Sequence, residues 1–416
     1  MKRHRVILAA VFTACFLTAL LIGPAALAAP GQGKCASNGY TVPAPGALKL
    51  VSKTDTSAVL KWSAPRDSRD VKSYNVYRGA TLAGTVTGTT FTDTSLIPNT
   101  AYTWTVKAVD RYNRLSAGSN KLSAATPIII RDEVLWTASN VPTAINGGLI
   151  VEPSGTLSID PGVTVRIRAG QSVTVRGSVQ AAGEAGAPIS FTKAPGACSG
   201  YWGTIHVAAG GQFSGDYVKI TYGTTLATVK GMLILNNSEI AYAKTQGILV
   251  EAGGEFNGTN NKLHDCCEAS GCKGIIAKGS VNLSSSQIYN CKGTGVVVES
   301  SGNFNGTSLS IRNCGKGVEV KGSANLVLCS VSGCGYGLFF NTAAFNGVIL
   351  NSFMGNNKYA VYNSRPTTVT IDASTNYWGS PNGPSVYDDA TRQWVGDGDR
   401  VSKGVNYGNW LTEPAQ

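Results

Sequence analysis

Two stretches of this chain, 48 residues apart, read almost alike: SEIAYAKTQGILVE at 238–251 and SQIYNCKGTGVVVE at 286–299. Later copies stand at Ile311-Arg312-Asn313-Cys314 and Val331-Ser332-Gly333-Cys334. Taking the residue three places after each apolar position gives Gly223, Ala243, Cys266, Cys291, Cys314, Cys334, Asn356 and Tyr377. The intervals are 20, 23, 25, 23, 20, 22 and 21 residues, averaging 22. Each unit has space for two or three short strands and their turns, and none for a helix. One such unit cannot bury its own apolar side, so the copies must stack into a β-solenoid.

Composition agrees with that reading. Glycine fills 50 of 416 positions and charged residues only 14%, against a usual ~7% glycine and ~25% charge. A long helical or coiled-coil protein is excluded, and the 43% apolar share excludes wholesale disorder. In a stacked solenoid, equivalent positions lie ~4.8 Å apart. Ile240, Leu263, Ile288, Ile311, Val331 and Phe353 should then form one inward apolar ladder. Ten or so coils would extend on the order of 48 Å. Exposed ends need caps, and residues 128–147 and 378–412 are the candidates.

Three further segments carry a family likeness: GTLSIDPGVTV at 155–165, Pro188-Ile189-Ser190-Phe191-Thr192 with Tyr201-Trp202-Gly203, and Asn376-Tyr377-Trp378-Gly379-Ser380-Pro381 with Gly383-Pro384. With the repeat, they resemble the right-handed parallel β-helices of the pectate-lyase-like superfamily, over roughly 145–412. The likeness implies the fold; activity has to be argued from a site.

Upstream, residues 42–127 alternate in short strands with turns every eight to twelve residues, the pattern of a β-sandwich. Pro43 and Pro45, Trp62, Tyr74-Asn75-Val76-Tyr77-Arg78 and Leu96-x-Pro98-x-Thr100-x-Tyr102 resemble a fibronectin type III domain. That resemblance gives Tyr102 the role of the tyrosine corner. Gly79-Ala80 follows Arg78, so the adhesive Arg-Gly-Asp tripeptide is absent, and a spacer role is expected. The expected organisation is a signal peptide (1–28), a linker (29–41), the sandwich (42–127) and a β-helix with caps (128–416), all-β throughout.

The signal peptide rests on Lys2, Arg3 and Arg5, the apolar run Val6–Ile22 and the Ala26-Leu27-Ala28 cleavage pattern. It predicts a mature chain that is secreted, extracellular or surface-associated, with no membrane span after cleavage. Residues 41–127 hold eleven cations and five acids (+6), while residues 128–416 hold twenty and nineteen (+1). The basic first domain could favour polyanions such as acidic glycans or wall polymers. No nucleic-acid motif accompanies it. Oligomeric state is not readable.

Candidate sites lie on outward ladders. Glu251, Lys278, Glu299, Lys321 and Asn341 should stack as an alternating ion-pair row. Two glutamates two rungs apart would otherwise be ~9.6 Å apart, near the limit for an inverting glycosidase pair. His264, Tyr289 and Arg312 fall on successive coils and could contact an acidic sugar. They could also abstract a C5 proton, with Arg312 neutralising the uronate and Tyr289 or His264 as acid or base. Trp202 and His206 are expected to point outward as a stacking platform for glycan.

Cys266, Cys291, Cys314 and Cys334 occupy equivalent rungs, and are expected as stacked core thiols. One ligand per rung in a line does not make a tetrahedral metal site. Cys267 and Cys272 bracket an insertion, and a disulfide there suits an oxidising compartment. The calcium and aspartate-cluster designs of the superfamily need convergent acids. Residues 253–371 supply only Glu255, Asp265, Glu268, Glu299 and Glu319. No metal or cofactor is expected. The expectation is therefore a non-catalytic surface or glycan-associated protein with a polysaccharide or cell-wall polymer as partner. The alternative is a polysaccharide lyase or glycoside hydrolase acting on a uronate-containing polymer through His264, Tyr289 and Arg312.

Overall fold

The computed structural model describes residues 41–196, 200–266, 271–341, 347–365 and 370–415. The expected signal peptide and nearly all of the expected linker lie outside them. Every regular element among the described residues is a β-strand.

In the sandwich, Gly46–Lys53, Ala58–Ser63 and Thr90–Asp93 make one sheet. Thr81–Val86, Val71–Arg78, Ala101–Asp110 and Leu122–Ala125 make the other. Strand alternation puts Leu60, Trp62, Tyr74, Val76, Trp104 and Val106 inside. Trp62 meets Tyr74 edge to face at 5.5 Å. The Tyr102 hydroxyl accepts a hydrogen bond from the Ile97 amide at 2.8 Å, which closes the corner expected of a fibronectin type III fold.

From Ile128 onward the chain winds as a parallel solenoid of about ten turns. Among the described residues, three all-parallel sheets of eleven, ten and nine strands run along it. A representative coil passes through Gln246–Val250 in the first sheet, Glu255–Thr259 in the second and Lys262–His264 in the third. The bend between second and third sheets is one left-handed residue, Asn237, Asn260, Ser285 or Ser308 on successive coils, with φ of 49–55°. Asn tolerates that region because its short side chain bonds locally.

Register follows the sequence ladder: Ile240, Leu263, Ile288, Ile311, Val331 and Phe353 pair one to the next, all buried. The ladder ends on Trp378, which stacks on Phe353 at 5.2 Å. Tyr377 therefore lies opposite Ser352, not on the rung of Asn356 where sequence spacing placed it. The C-terminal segment is pinned to the last coil by Asp399. Its carboxylate accepts from the Gly355 and Asn356 amides at 2.9 Å and from Asn356 Nδ2 at 2.7 Å. Burial nonetheless pushes its carboxyl above the usual range.

Candidate functional site

The third sheet positions the row that sequence spacing singled out. His264, Tyr289 and Arg312 are register partners at the ends of consecutive strands. The imidazole of His264 stacks on Tyr289 at 4.7 Å, and the Arg312 guanidinium lies 4.1 Å from the Tyr289 centroid. The stack continues beyond the sequence reading. Tyr242 meets His264 edge-on at 5.8 Å, Tyr222 stacks on Tyr242 at 5.2 Å, and Lys193 sits 4.4 Å over Tyr222. Tyr222 and Tyr242 hold φ of 62° and 59°, a region that bulky side chains rarely enter.

This row is largely occupied with itself. His264 is buried, with Nδ1 2.7 Å from Asp265 and Nε2 3.4 Å from Glu239. Burial raises the Tyr289 phenol above its ordinary value. Rings stacked face to face show solvent their edges, so the row offers hydrogen bonds rather than a flat platform.

Trp202 departs from expectation. It is fully buried, and its indole Nε1 donates to the Thr221 carbonyl at 2.7 Å. It precedes the strand Ile205–Val207 and takes a core position through a bridge to Gly223. His206 does face outward on that strand, half-buried. Its pKa is lowered first by burial, then by Lys230 and Arg176. The two make no common platform.

The ion-pair row is present: Lys278 bonds Glu251 at 3.1 Å and Lys321 bonds Glu299 at 3.2 Å. Each glutamate is thus matched to a lysine one coil on. Cys266, Cys291, Cys314 and Cys334 are free and buried. Each thiol donates to the carbonyl two residues before it, and neighbouring thiols together with burial drive Cys291, Cys314 and Cys334 up, Cys314 to about 12. Cys272 is disulfide-bonded, while Cys267 lies outside the described residues.

The arrangement that the sequence reading missed is at the C-terminal coils. Tyr336 and Tyr359 pair across adjacent strands and stack at 6.0 Å, and Phe339 and Tyr362 pair beside them at 5.1 Å. A hairpin of Val386–Asp388 with Gln393–Val395 sets Tyr387 opposite Trp394. Trp394 then meets Tyr359 at 5.7 Å and Tyr387 at 5.5 Å, both edge-on. Together they border a cavity of about 620 Å³ that also takes in Tyr407, Ser402 and Lys403. That volume is typical of ligand pockets. Lys403 is neutralised by Asp389 at 2.7 Å, and Arg400 packs 4.8 Å from the Trp394 ring. Tyr359 has one face on Tyr336 and Trp394 has one under Arg400, and the rim supplies hydroxyls and an ion pair. The available signal was aromatic residues recurring one coil apart, Tyr336 to Tyr359 and Phe339 to Tyr362.

Comparison with known proteins matches two segments. Residues 43–123 match the fibronectin type III domain, and residues 204–385 match the family described as periplasmic copper-binding protein (NosD). Exoglucanase B of Cellulomonas fimi is 43% identical over 98 residues, which is 24% of this chain and 9% of that protein. Chitinase A1 of Niallia circulans is 40% identical over 112 residues, 27% of this chain and 16% of that one. The poly(3-hydroxybutyrate) depolymerase of Ralstonia pickettii is 36% identical over 96 residues, 23% and 18% respectively. The chain therefore spans less than a fifth of the length of each of these relatives.

Proposed function

We propose that this chain, a fibronectin type III domain joined to a β-solenoid similar to NosD, is a secreted protein that holds polysaccharide without cleaving it. The observation that carries the reading is the C-terminal aromatic cavity. A sugar ring has an apolar C–H face and a hydroxyl edge. Tyr359, Tyr387 and Trp394 suit the face, and Ser402 with the Lys403–Asp389 pair suits the edge. The relatives named exoglucanase and chitinase add support, since this type of module accompanies proteins that act on sugar polymers.

The catalytic alternative is weaker on geometry. A general base must be within reach of a substrate proton, yet both nitrogens of His264 face carboxylates and Arg312 is laid on Tyr289. The family that residues 204–385 match is described as copper-binding. The stacked thiols are buried, Cys291, Cys314 and Cys334 with raised pKa values, and copper is held by convergent thiolate, thioether or imidazole donors. Among the described residues no three His, Cys, Asp or Glu are grouped so as to hold a metal ion, and the carboxylates beside His264 engage its own ring nitrogens. These side chains do not fit the ion.

The test is depletion of the mature protein from solution by insoluble polysaccharides, with soluble products followed alongside. Retention without product is expected, and Trp394→Ala or Tyr387→Ala should weaken it at least about tenfold. Steady release of unsaturated or reducing ends, lost in His264→Ala, would overturn the non-catalytic reading.

A further inference from the structure

The outward face of the second sheet carries an asparagine rank in mid-strand, whereas the bonds from Asn260 to Asn237 and from Asn313 to Asn290 run along the bends. Asn257, Asn282 and Asn305 are register partners in the middle of consecutive strands, and Asn325 follows on the next coil. Asn305 Nδ2 donates to Asn282 Oδ1 at 2.8 Å. Asn282 Nδ2 donates to Asn257 Oδ1 at 2.8 Å, and Asn257 Nδ2 donates to Glu255 at 2.9 Å. A parallel rank of hydroxyls runs two residues on, at Thr259, Ser284 and Thr307, with Thr259 and Ser284 joined at 3.0 Å. The two ranks line a shallow cavity of about 310 Å³.

Asparagine is a poor strand residue. In the bends of this solenoid its presence is explained by positive φ, as at Asn237, Asn260, Asn290 and Asn313. No such backbone demand exists at Asn257, Asn282 and Asn305. The same rank holds Ser214 and Ile234 on earlier coils and Gly347 on a later one, so the amides coincide with the cavity.

We propose that this amide ladder binds a neutral polysaccharide bearing acetamido groups. The inference rests on the polysaccharide-binding reading and names the sugar class. A primary amide has two N–H donors and two acceptor lone pairs. The ladder uses one of each at Asn282, leaving one N–H and one lone pair for a ligand. Acetamido groups that hydrogen-bond from chain to chain repeat at the spacing set by N–H···O=C bonds. The same bond sets the ~4.8 Å rung spacing of the solenoid. The two ladders are therefore commensurate, and each sugar amide can meet one asparagine. The ranks of Asn and Thr/Ser are uncharged, which matches a neutral polymer and gives a carboxylated one no cation to meet.

The experiment compares retention of the mature protein on chitin, on the same polymer after deacetylation, and on cellulose. Chitin should retain it at least about tenfold better than either, and soluble N-acetylated oligosaccharides should elute it while glucose oligomers do not. Asn282→Thr combined with Asn305→Thr, which installs better strand formers, should leave the melting temperature unchanged or higher. Chitin affinity should nonetheless fall about tenfold. Equal retention on all three polymers, or elution by both oligomers alike, overturns the amide ladder while leaving polysaccharide binding intact. A double variant that keeps its melting temperature and its chitin affinity also overturns it. No retention on any polymer overturns both readings together. The oligomer competition needs no variant, so the outcome is decided even if the substitutions misfold.

Discussion

A thiol reacts through its thiolate, and Cys291, Cys314, Cys329 and Cys334 are held far from that form, while Cys266 is fully buried. Hydrogen bonding to Cys291 and burial push Cys314 to about 12, and burial pushes Cys329 to about 11, from an ordinary 9.0. Iodoacetamide at pH 8 should therefore leave Cys266, Cys291, Cys314, Cys329 and Cys334 unlabelled in native protein and label all five after unfolding. Peptide mapping reads this directly, and native-state labelling of any of the five contradicts the buried ladder. The linkage has a definite sign. Because the folded pKa values of Cys291, Cys314, Cys329 and Cys334 are raised, the stability they contribute is complete below pH 9 and declines as the pH rises toward their folded values. The melting temperature should accordingly fall as the pH rises from about 9 toward about 11, and replacing Cys314 by Ala should flatten that fall.

The cysteine rank depends on a glycine rank beside it. Gly247, Gly274, Gly295, Gly317 and Gly337 occupy one position on successive coils. A Cβ at Gly274 would lie 2.5 Å from the Gly295 carbonyl oxygen and 3.0 Å from Cys291 Sγ. The thiol fills space that only glycine leaves open. Gly274→Ala should cost about 1–3 kcal/mol in urea unfolding, whereas Gly253, with open space around it, owes its identity to a φ of 81°.

Such ranks were legible because stacking makes residue type repeat with the coil. The period gave the inward ladder from Ile240 to Phe353, and the alternation of Glu251, Lys278, Glu299 and Lys321 announced ion pairs. Trp202 was not legible. It lies before its strand, where a bridge rather than strand alternation sets its direction. Tyr387 and Trp394 belong to a hairpin outside the repeat, so no period could align them with Tyr359. The asparagine ladder lies inside the repeat, in the motif NGT at 257–259 and 305–307, but Asn-Gly reads as a turn, which masks a mid-strand rank.

At the scale of the whole molecule, charge is divided unevenly: +6 over residues 41–127 and +1 over 128–416. Much of the solenoid's charge is matched locally, in Arg176–Glu152, Lys219–Glu239, Lys278–Glu251, Lys321–Glu299 and Lys403–Asp389. The two proposed contact regions offer a polymer aromatic rings, amides and hydroxyls, with Lys403 neutralised by Asp389 and Arg400 laid on the Trp394 ring. Binding through them involves little net charge, so screening by salt should have little to act on. The basic sandwich behaves oppositely, since attraction of a polyanion to its surplus of surface cations weakens as the Debye length falls from about 10 Å at 0.1 M to about 3 Å at 1 M. Retention on chitin should therefore stay within about twofold between ~0.1 M and ~1 M sodium chloride, while any retention on a polyuronate should collapse over the same range. If chitin retention collapses as well, the sandwich and not the solenoid is the part that meets the polymer. The expected spacer role of the fibronectin type III domain would then have to be given up.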